Sequence, residues 1–230
     1  KGAADAKRSA AFTKIAKELI VAVKEGGGIT DPANNSRLAT IITKAKAANM
    51  PNDNIKRCLE KAAGAGGGDS YESITYEGYG PGGVAVIVET MTDNRNRTAG
   101  SMRHHFDKYG GNLGASGCVA WSFDKKGVLV MDNSGEELDE EEVMMDAMDA
   151  GADDFEADGD VFTIYTLPDD FNSVVENLSK YTFVSAQIEM VPQHYQKLES
   201  EEHIKLMEKL IDIMEDDDDV QNIWHNWEQE

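Results

Sequence analysis

Between Gly64 and Ser70 the chain changes in two respects at once, and this restricts it to folds built from separate modules. Residues 1–66 hold 12 Lys+Arg against 6 Asp+Glu, while residues 67–230 hold 10 against 37. The junction itself, Gly64-Ala65-Gly66-Gly67-Gly68-Asp69-Ser70, has the composition of a linker. Before it, apolar residues recur at the helical period; after it, short β-branched runs alternate with turn signals. A domain boundary is expected there. A uniformly acidic chain repels nucleic acid everywhere, but +6 on one block and −27 on the remainder, summing to −21, can present a single face to phosphate.

In the basic block, Phe12, Ile15, Ala16, Leu19, Ile20 and Val23 follow one helical face, predicting a helix over about Asp5 to Lys24 that ends at Gly26-Gly27-Gly28. Lys7, Arg8, Lys14, Lys17 and Lys24 lie largely off that stripe. Leu38, Ile41, Ile42, Ala45 and Ala48 predict a second helix, which also carries Arg37 and Lys44 and stops at Asn49-Met50-Pro51. Asn52 or Asp53 is then placed to cap a third, with Ile55, Leu59 and Ala62 inward and Lys56, Arg57 and Lys61 outward. Such lysines either form a solvated face or contact phosphates; net positive charge on all three helices of an acidic chain favours phosphate. The short turn also suits a helix-turn-helix with the third helix as reader, although plain bundles use similar turns. Phe12 is the one aromatic residue of the block, so backbone contact is expected rather than base stacking.

Beyond the junction, runs at 74–77 and 84–88 read as strands joined by Gly78-Tyr79-Gly80-Pro81-Gly82-Gly83. This string matches G-x-G-x-x-G, but it leads into a strand and not into the helix that a dinucleotide site requires. A helix follows Thr92-Asp93-Asn94-Arg95-Asn96-Arg97. Arginines at a helix start are unfavourable against its dipole unless an anion is present, so Arg95 and Arg97 form a second candidate phosphate site beside the plain reading of surface arginines. Gly110 to Gly117 is a glycine-rich loop suited to tight turns or to close approach of a ligand, and a strand is expected over Val119 to Phe123.

From Gly127 the order strand, helix, strand, strand, helix, strand is predicted, with a hairpin at Asp158-Gly159. That is the ferredoxin-like order. Residues 127–196 carry 18 acids and, as their only Lys or Arg, Lys180. Met144, Met145 and Met148 are read as core filler, and as an alternative their acidic surroundings suit basic protein surfaces. The expected fold is α+β: a basic three-helix domain over 1–66, a discontinuous α/β domain over 71–126 and 197–230, and an acidic ferredoxin-like domain over 127–196 inserted into it.

No catalytic constellation can be assembled. The string from Asp154 resembles the start of a calcium loop but has Tyr165 where a bidentate Glu is needed. His104 and His105 are adjacent and not spaced as a zinc pair, and Asp216 to Asp219 read as solvated charge rather than a cation site. Cys58 and Cys118 form neither a disulfide framework nor a metal knuckle. No apolar run approaches a bilayer span and no cleavable leader is seen, so a soluble protein that is not exported is expected. No enzymatic activity, cofactor, metal or small-molecule substrate is expected.

Several strings together resemble the YebC/PmpR family, whose mitochondrial relative is the translational activator of cytochrome c oxidase subunit I. They are Asn49-Met50-Pro51, Tyr76 to Gly83, Thr92 to Arg97, Gly110-Gly111-Asn112-Leu113-Gly114 and Asp217-Asp218-Asp219-Val220-Gln221-Asn222. The resemblance implies three domains and a non-enzymatic cytoplasmic regulator. Many members are described as DNA-binding transcriptional regulators, others as ribosome-associated factors that help translate difficult, proline-rich stretches. Members usually open on a basic Gly-His-Ser-Lys-Trp segment, whereas this chain starts at Lys1-Gly2-Ala3-Ala4-Asp5, partway along that pattern. Three readings follow. The basic block docks on ribosomal RNA, which is recognised by shape and backbone; or its third helix reads duplex DNA; or the chain is an acidic scaffold for proteins. The expected nucleic-acid residues are Lys7, Arg8, Lys14, Lys17, Arg37, Lys44, Lys56, Arg57 and Lys61, with Arg95 and Arg97 as an extension.

Overall fold

The computed structural model describes residues 2–64 and 70–229, so residues 65–69 of the expected linker lie outside the described residues. Three helices come first, α1 (Gly2–Glu25), α2 (Ser36–Ala47) and α3 (Asn52–Ala63). Then follow β1 (Glu72–Tyr79), β2 (Ala85–Thr92), α4 (Arg95–Lys108), β3 (Asn112–Leu113) and β4 (Phe123–Asp132). The chain continues with α5 (Glu140–Asp149), β5 (Asp154–Asp158), β6 (Val161–Thr166), α6 (Phe171–Asn177) and β7 (Ser185–Pro192), and ends with α7 (Glu201–Asp216) and β8 (Val220–His225). Two compact units result: residues 1–68 with 125–189, and residues 69–124 with 190–230.

In the first unit, Ile15, Leu19, Ala22 and Val23 of α1 bury against Leu38, Ala45, Met50, Ile55 and Ala62. Gly27 and Gly28 leave α1 at φ 72° and 85°, a geometry that glycine adopts without strain. Buried Asn35 caps α2 by accepting from the Leu38 amide at 3.1 Å, and its own amide group donates to the Ala22 carbonyl at 3.0 Å. The expected cap of α3 is corrected: Pro51 holds the N-cap position without a side-chain bond, and Asn52 and Asp53 already belong to the first turn. Asn49 makes this possible at φ 62°, and the Met50 amide returns to the Ala45 carbonyl at 2.9 Å. Between α1 and α2 an ion pair forms, half-buried Lys44 placing its Nζ 3.0 and 2.9 Å from the two carboxylate oxygens of buried Glu18.

The helices do not stand apart from the acidic sheet. Asn172 of α6 donates to the Ser36 carbonyl at 2.9 Å and its side-chain oxygen accepts from the Thr40 hydroxyl at 2.9 Å. The sheet runs β5-β6-β4-β7, with the first and third strands of the β-α-β-β-α-β unit in the middle, as a ferredoxin-like fold requires. Gly159 turns the β5–β6 hairpin at φ 58°. One expectation is overturned here. Met144, Met145 and Met148 are 42, 63 and 49% exposed, because Val143 and Ala147 of α5 and Ala150 at its C-cap form the inward stripe. Small residues on that stripe let the helix approach the sheet closely and leave the methionines outside.

The second unit is an antiparallel sheet in the order β3-β1-β2-β8. Val84, Val86 and Val88 pack on Met102, Phe106, Met207, Leu210 and Met214 of α4 and α7 on one face; Ala85 and Ile87 pack on Val119 and Phe123 on the other. β8, which follows the inserted segment in sequence, thus completes this sheet beside β2. The strand expected over Val119 to Phe123 is corrected. Buried Glu77 accepts the amides of Gly117, Val119 and Ala120 at 2.5, 3.1 and 2.6 Å, which fixes a tight turn and takes the donors that a ladder would need. The glycine-rich strings serve the fold in the same way. A Cβ on Gly78 would lie 2.5 Å from the Asn112 carbonyl oxygen, and one on Gly111 would lie 2.4 Å from that of Tyr79.

Replacing Lys44 with Ala leaves Glu18 a buried, unpaired carboxylate, and chemical denaturation should show a loss of about 3 kcal/mol. The pH dependence has a defined sign at His225 of β8. Burial holds its pKa below 6.5, and its Nδ1 accepts the Trp227 amide at 3.2 Å, which requires the neutral ring. The unfolded chain therefore takes up the proton first, and the stability from neutral His225 is complete above 6.5 and lost as pH falls below it. Urea midpoints measured through that range should fall less steeply for His225→Asn, whose side-chain oxygen keeps an acceptor.

Candidate nucleic-acid interface

The buried stripe of α1 begins only at Ile15, and every residue from Gly2 to Ala11 is exposed. That stretch carries Lys7 and Arg8, and the Arg8 guanidinium lies 5.5 Å from the centroid of the Phe12 ring. The stacking keeps a solvent-facing cation in a defined orientation. Farther along α1, Lys14 and Lys17 are half-buried.

On α3 the outward residues are Asn52, Asp53, Lys56, Arg57, Glu60 and Lys61, all exposed. Arg57 bonds within its own helix, to Asn54 Oδ1 and to the Asp53 carbonyl at 3.3 Å. Among the described residues no carboxylate pairs with Lys56 or Lys61. Three cations against Asp53 and Glu60 leave this face positive but mixed. Lys46, exposed in the last turn of α2, is a further cation that the sequence reading passed over; its charge was visible, its exposure was not.

Other predicted residues are engaged elsewhere. Lys44 is spent on Glu18, and Arg37 pairs with Glu25 in the open. Arg95 and Arg97 sit in the first turn of α4, where the anions that their position called for are the chain's own carboxylates. Arg95 pairs with Glu72, both ends exposed, a contact of small energetic weight. Arg97 is more deeply committed. Its guanidinium donates to Asp219 at 2.9 and 3.3 Å and to Asp93 at 2.9 Å, and these bonds hold it charged. Asp219 is buried and accepts also from the Thr98 hydroxyl at 2.8 Å.

The chemically reactive side chains are quiet. Burial pushes the Cys58 thiol up despite the opposing charges of Lys61 and Arg57, and burial together with Glu77 pushes the Cys118 thiol up. His105 Nε2 lies 2.9 Å from Asp217, while His104 is exposed. Among the described residues there is no group of three or more His, Cys, Asp or Glu placed to hold a metal ion, and no helix is long and apolar enough to cross a membrane.

Comparison with known proteins covers nearly the whole chain. Residues 1–65 match the family model described as the TACO1/YebC protein N-terminal domain, and residues 71–227 match that of the TACO1/YebC second and third domain. A "probable transcriptional regulatory protein" of Clostridioides difficile is 56% identical over 232 residues, spanning all of this chain and 96% of that protein. One of the same description from Acetivibrio thermocellus is 55% identical, spanning 97% of this chain and 92% of its own. Among solved structures, that of the conserved hypothetical protein Aq1575 from Aquifex aeolicus is similar with a TM-score of 0.84 and 44% identity, covering 97% of this chain and 91% of that one.

The two α4 arginines should separate in a melting experiment. Arg97→Ala strands the buried Asp219 and lowers the melting temperature, whereas Arg95→Ala leaves it within a degree or so, as expected for an exposed pair.

Proposed function

The chain belongs to the TACO1/YebC family, and on that premise we propose that it is a non-enzymatic, nucleic-acid-binding regulator of gene expression that works in the cytoplasm. One observation carries the reading: on a chain of net charge −21, Lys56, Arg57 and Lys61 line the exposed face of α3, and among the described residues no carboxylate pairs with Lys56 or Lys61. Lys7, Arg8 and Lys46 add exposed charge in the same unit. Lys14, Lys17, Arg37 and Arg95 are subsidiary contributors, the two arginines being held only by exposed carboxylates, and Lys44 and Arg97 are left out because buried carboxylates answer their charge.

The finer reading is a ribosome-associated translation factor that contacts ribosomal RNA and aids translation of proline-rich or stalling stretches. Cations without an exposed aromatic platform suit the backbone of folded RNA. Positioning RNA or a nascent chain needs no catalytic residue of the factor's own. The printed description of the relatives, probable transcriptional regulatory protein, favours a second reading, in which α3 enters duplex DNA. Asp53 and Glu60 on the outer face of α3 weigh against a groove lined by phosphates on both sides.

Sedimentation with ribosomes at moderate salt, with random and promoter duplexes as competitors, separates the two. On the ribosomal reading the protein pellets with ribosomes, and Lys56→Glu/Arg57→Glu reduces the pelleted fraction at least tenfold and flattens the salt slope by about 2, one for each cation lost as a phosphate contact. Recovery in the supernatant with ribosomes, together with selective binding of one duplex, overturns it in favour of DNA. An unchanged pelleted fraction for the double variant removes α3 as the contact.

A further inference from the structure

The outer face of α5 carries a stripe that the proposed nucleic-acid contact does not use. Glu141, Met144, Met145 and Met148 stand at i, i+3, i+4 and i+7, so they share a face. All three methionines are exposed, Met145 by 63%. Together with Asp149, Asp154 and Phe155 they line a hollow of about 350 Å³. Phe155 and Asp154 come from β5, which is the edge strand of its sheet.

The surroundings define the occupant. Residues 127–196 hold 18 acids and, of Lys and Arg, Lys180 alone, which is paired with Asp146. Asp149 and Asp154 at the hollow and Glu141 on the helix are exposed. A phosphate-bearing ligand is repelled by this rim. Apolar side chains flanked by Lys or Arg are drawn to it, the carboxylates by charge and the methionines by contact. Unbranched thioether side chains adapt to different apolar shapes at little cost in strain. A stripe with i, i+3/i+4, i+7 spacing matches the anchors of an amphipathic helix lying alongside.

We propose that the Met144-Met145-Met148 hollow is a docking site for a basic amphipathic helix of a partner protein, its apolar face on the methionines and its cations against Glu141, Asp149 and Asp154. This site is independent of α3 and of the nucleic-acid reading.

The test uses the full chain labelled at its ten methionine methyls and two synthetic helices of about 14 residues, near four turns. One peptide is built of Leu and Lys, the other has Ser in place of each Leu. The Leu/Lys helix is expected to shift the methyl resonances of Met144, Met145 and Met148 and leave the buried Met102, Met207 and Met214 unmoved. The Ser/Lys peptide should bind at least tenfold more weakly. Met145→Ser/Met148→Ser, exposed positions whose change leaves the core intact, should weaken the Leu/Lys helix at least tenfold while its melting temperature stays that of the parent. Unmoved methyls, equal affinity for the two peptides, or full affinity in the variant each overturn the proposal. So does a concentration-dependent shift of the same three methyls without peptide that the double variant abolishes, which assigns the face to a second copy of this chain.

Discussion

The carboxylate of Asp219 ties the turn before β8 to the start of α4. It is buried, so it needs compensation, and it finds it in the Arg97 guanidinium and the Thr98 hydroxyl at the start of α4. Its own backbone carbonyl accepts the Met91 amide at 2.9 Å, where β2 meets β8. The turn before β8 is thereby fixed on the sheet, and β8 pairs with β2 across a register shift between Glu89 and Thr90, with Glu89 accepting from Asn222 and Trp224 at 3.1 and 2.9 Å. A discontinuous unit gains no help from chain connectivity at this seam. Directional, charge-assisted bonds across it select one register where apolar contacts alone tolerate a slip.

The same knot decides how the cations of the chain divide. An arginine at a helix N-terminus attracts attention as an anion receptor, but Arg97 already answers a buried carboxylate and two exposed ones flank the pair of arginines. Lys44 is withdrawn in the same manner by Glu18. What remains for an outside anion is set by geometry: the exposed first turns of α1 and the outer face of α3. Counting Lys and Arg over a segment measures potential at long range, where the acidic remainder steers phosphate away from every other face. Contact at short range depends on which of those charges have no internal partner.

Periodicity made much of this fold legible. The helical stripes of α1 and α2, the Asp158-Gly159 hairpin and the β-α-β-β-α-β order depend on neighbours in sequence, and the structure has them. Completion of the first sheet by α7 and β8 was readable because residues 71–126 lack a second helix and strand to balance it. The misread elements share a cause. Arg97 and Asp219 stand 122 residues apart, and Glu77 reaches Ala120 across 43, so neither partner is visible in a local window. Without Glu77, Val119 to Phe123 looks like a strand because its side chains are apolar; with it, the amides are diverted into a turn. In α5 the hydrophobicity scale favoured Met over Ala, yet packing distance favoured Ala147 and Ala150 as the inward residues.

That inversion on α5 bears on how one compact unit can offer two chemically opposite surfaces. The helices α1 and α3 expose cations, and α5 exposes methionines among carboxylates, while α2 and α6 are joined through Asn172. The screening length in a physiological solution is only about 8 Å, so each surface acts on what approaches it rather than on the other. On the two proposals, phosphate is drawn to the helices and turned away by the acidic sheet, and a basic protein segment experiences the reverse. If both proposals hold, a nucleic acid and a basic protein are engaged through different residues of a single unit, without competition.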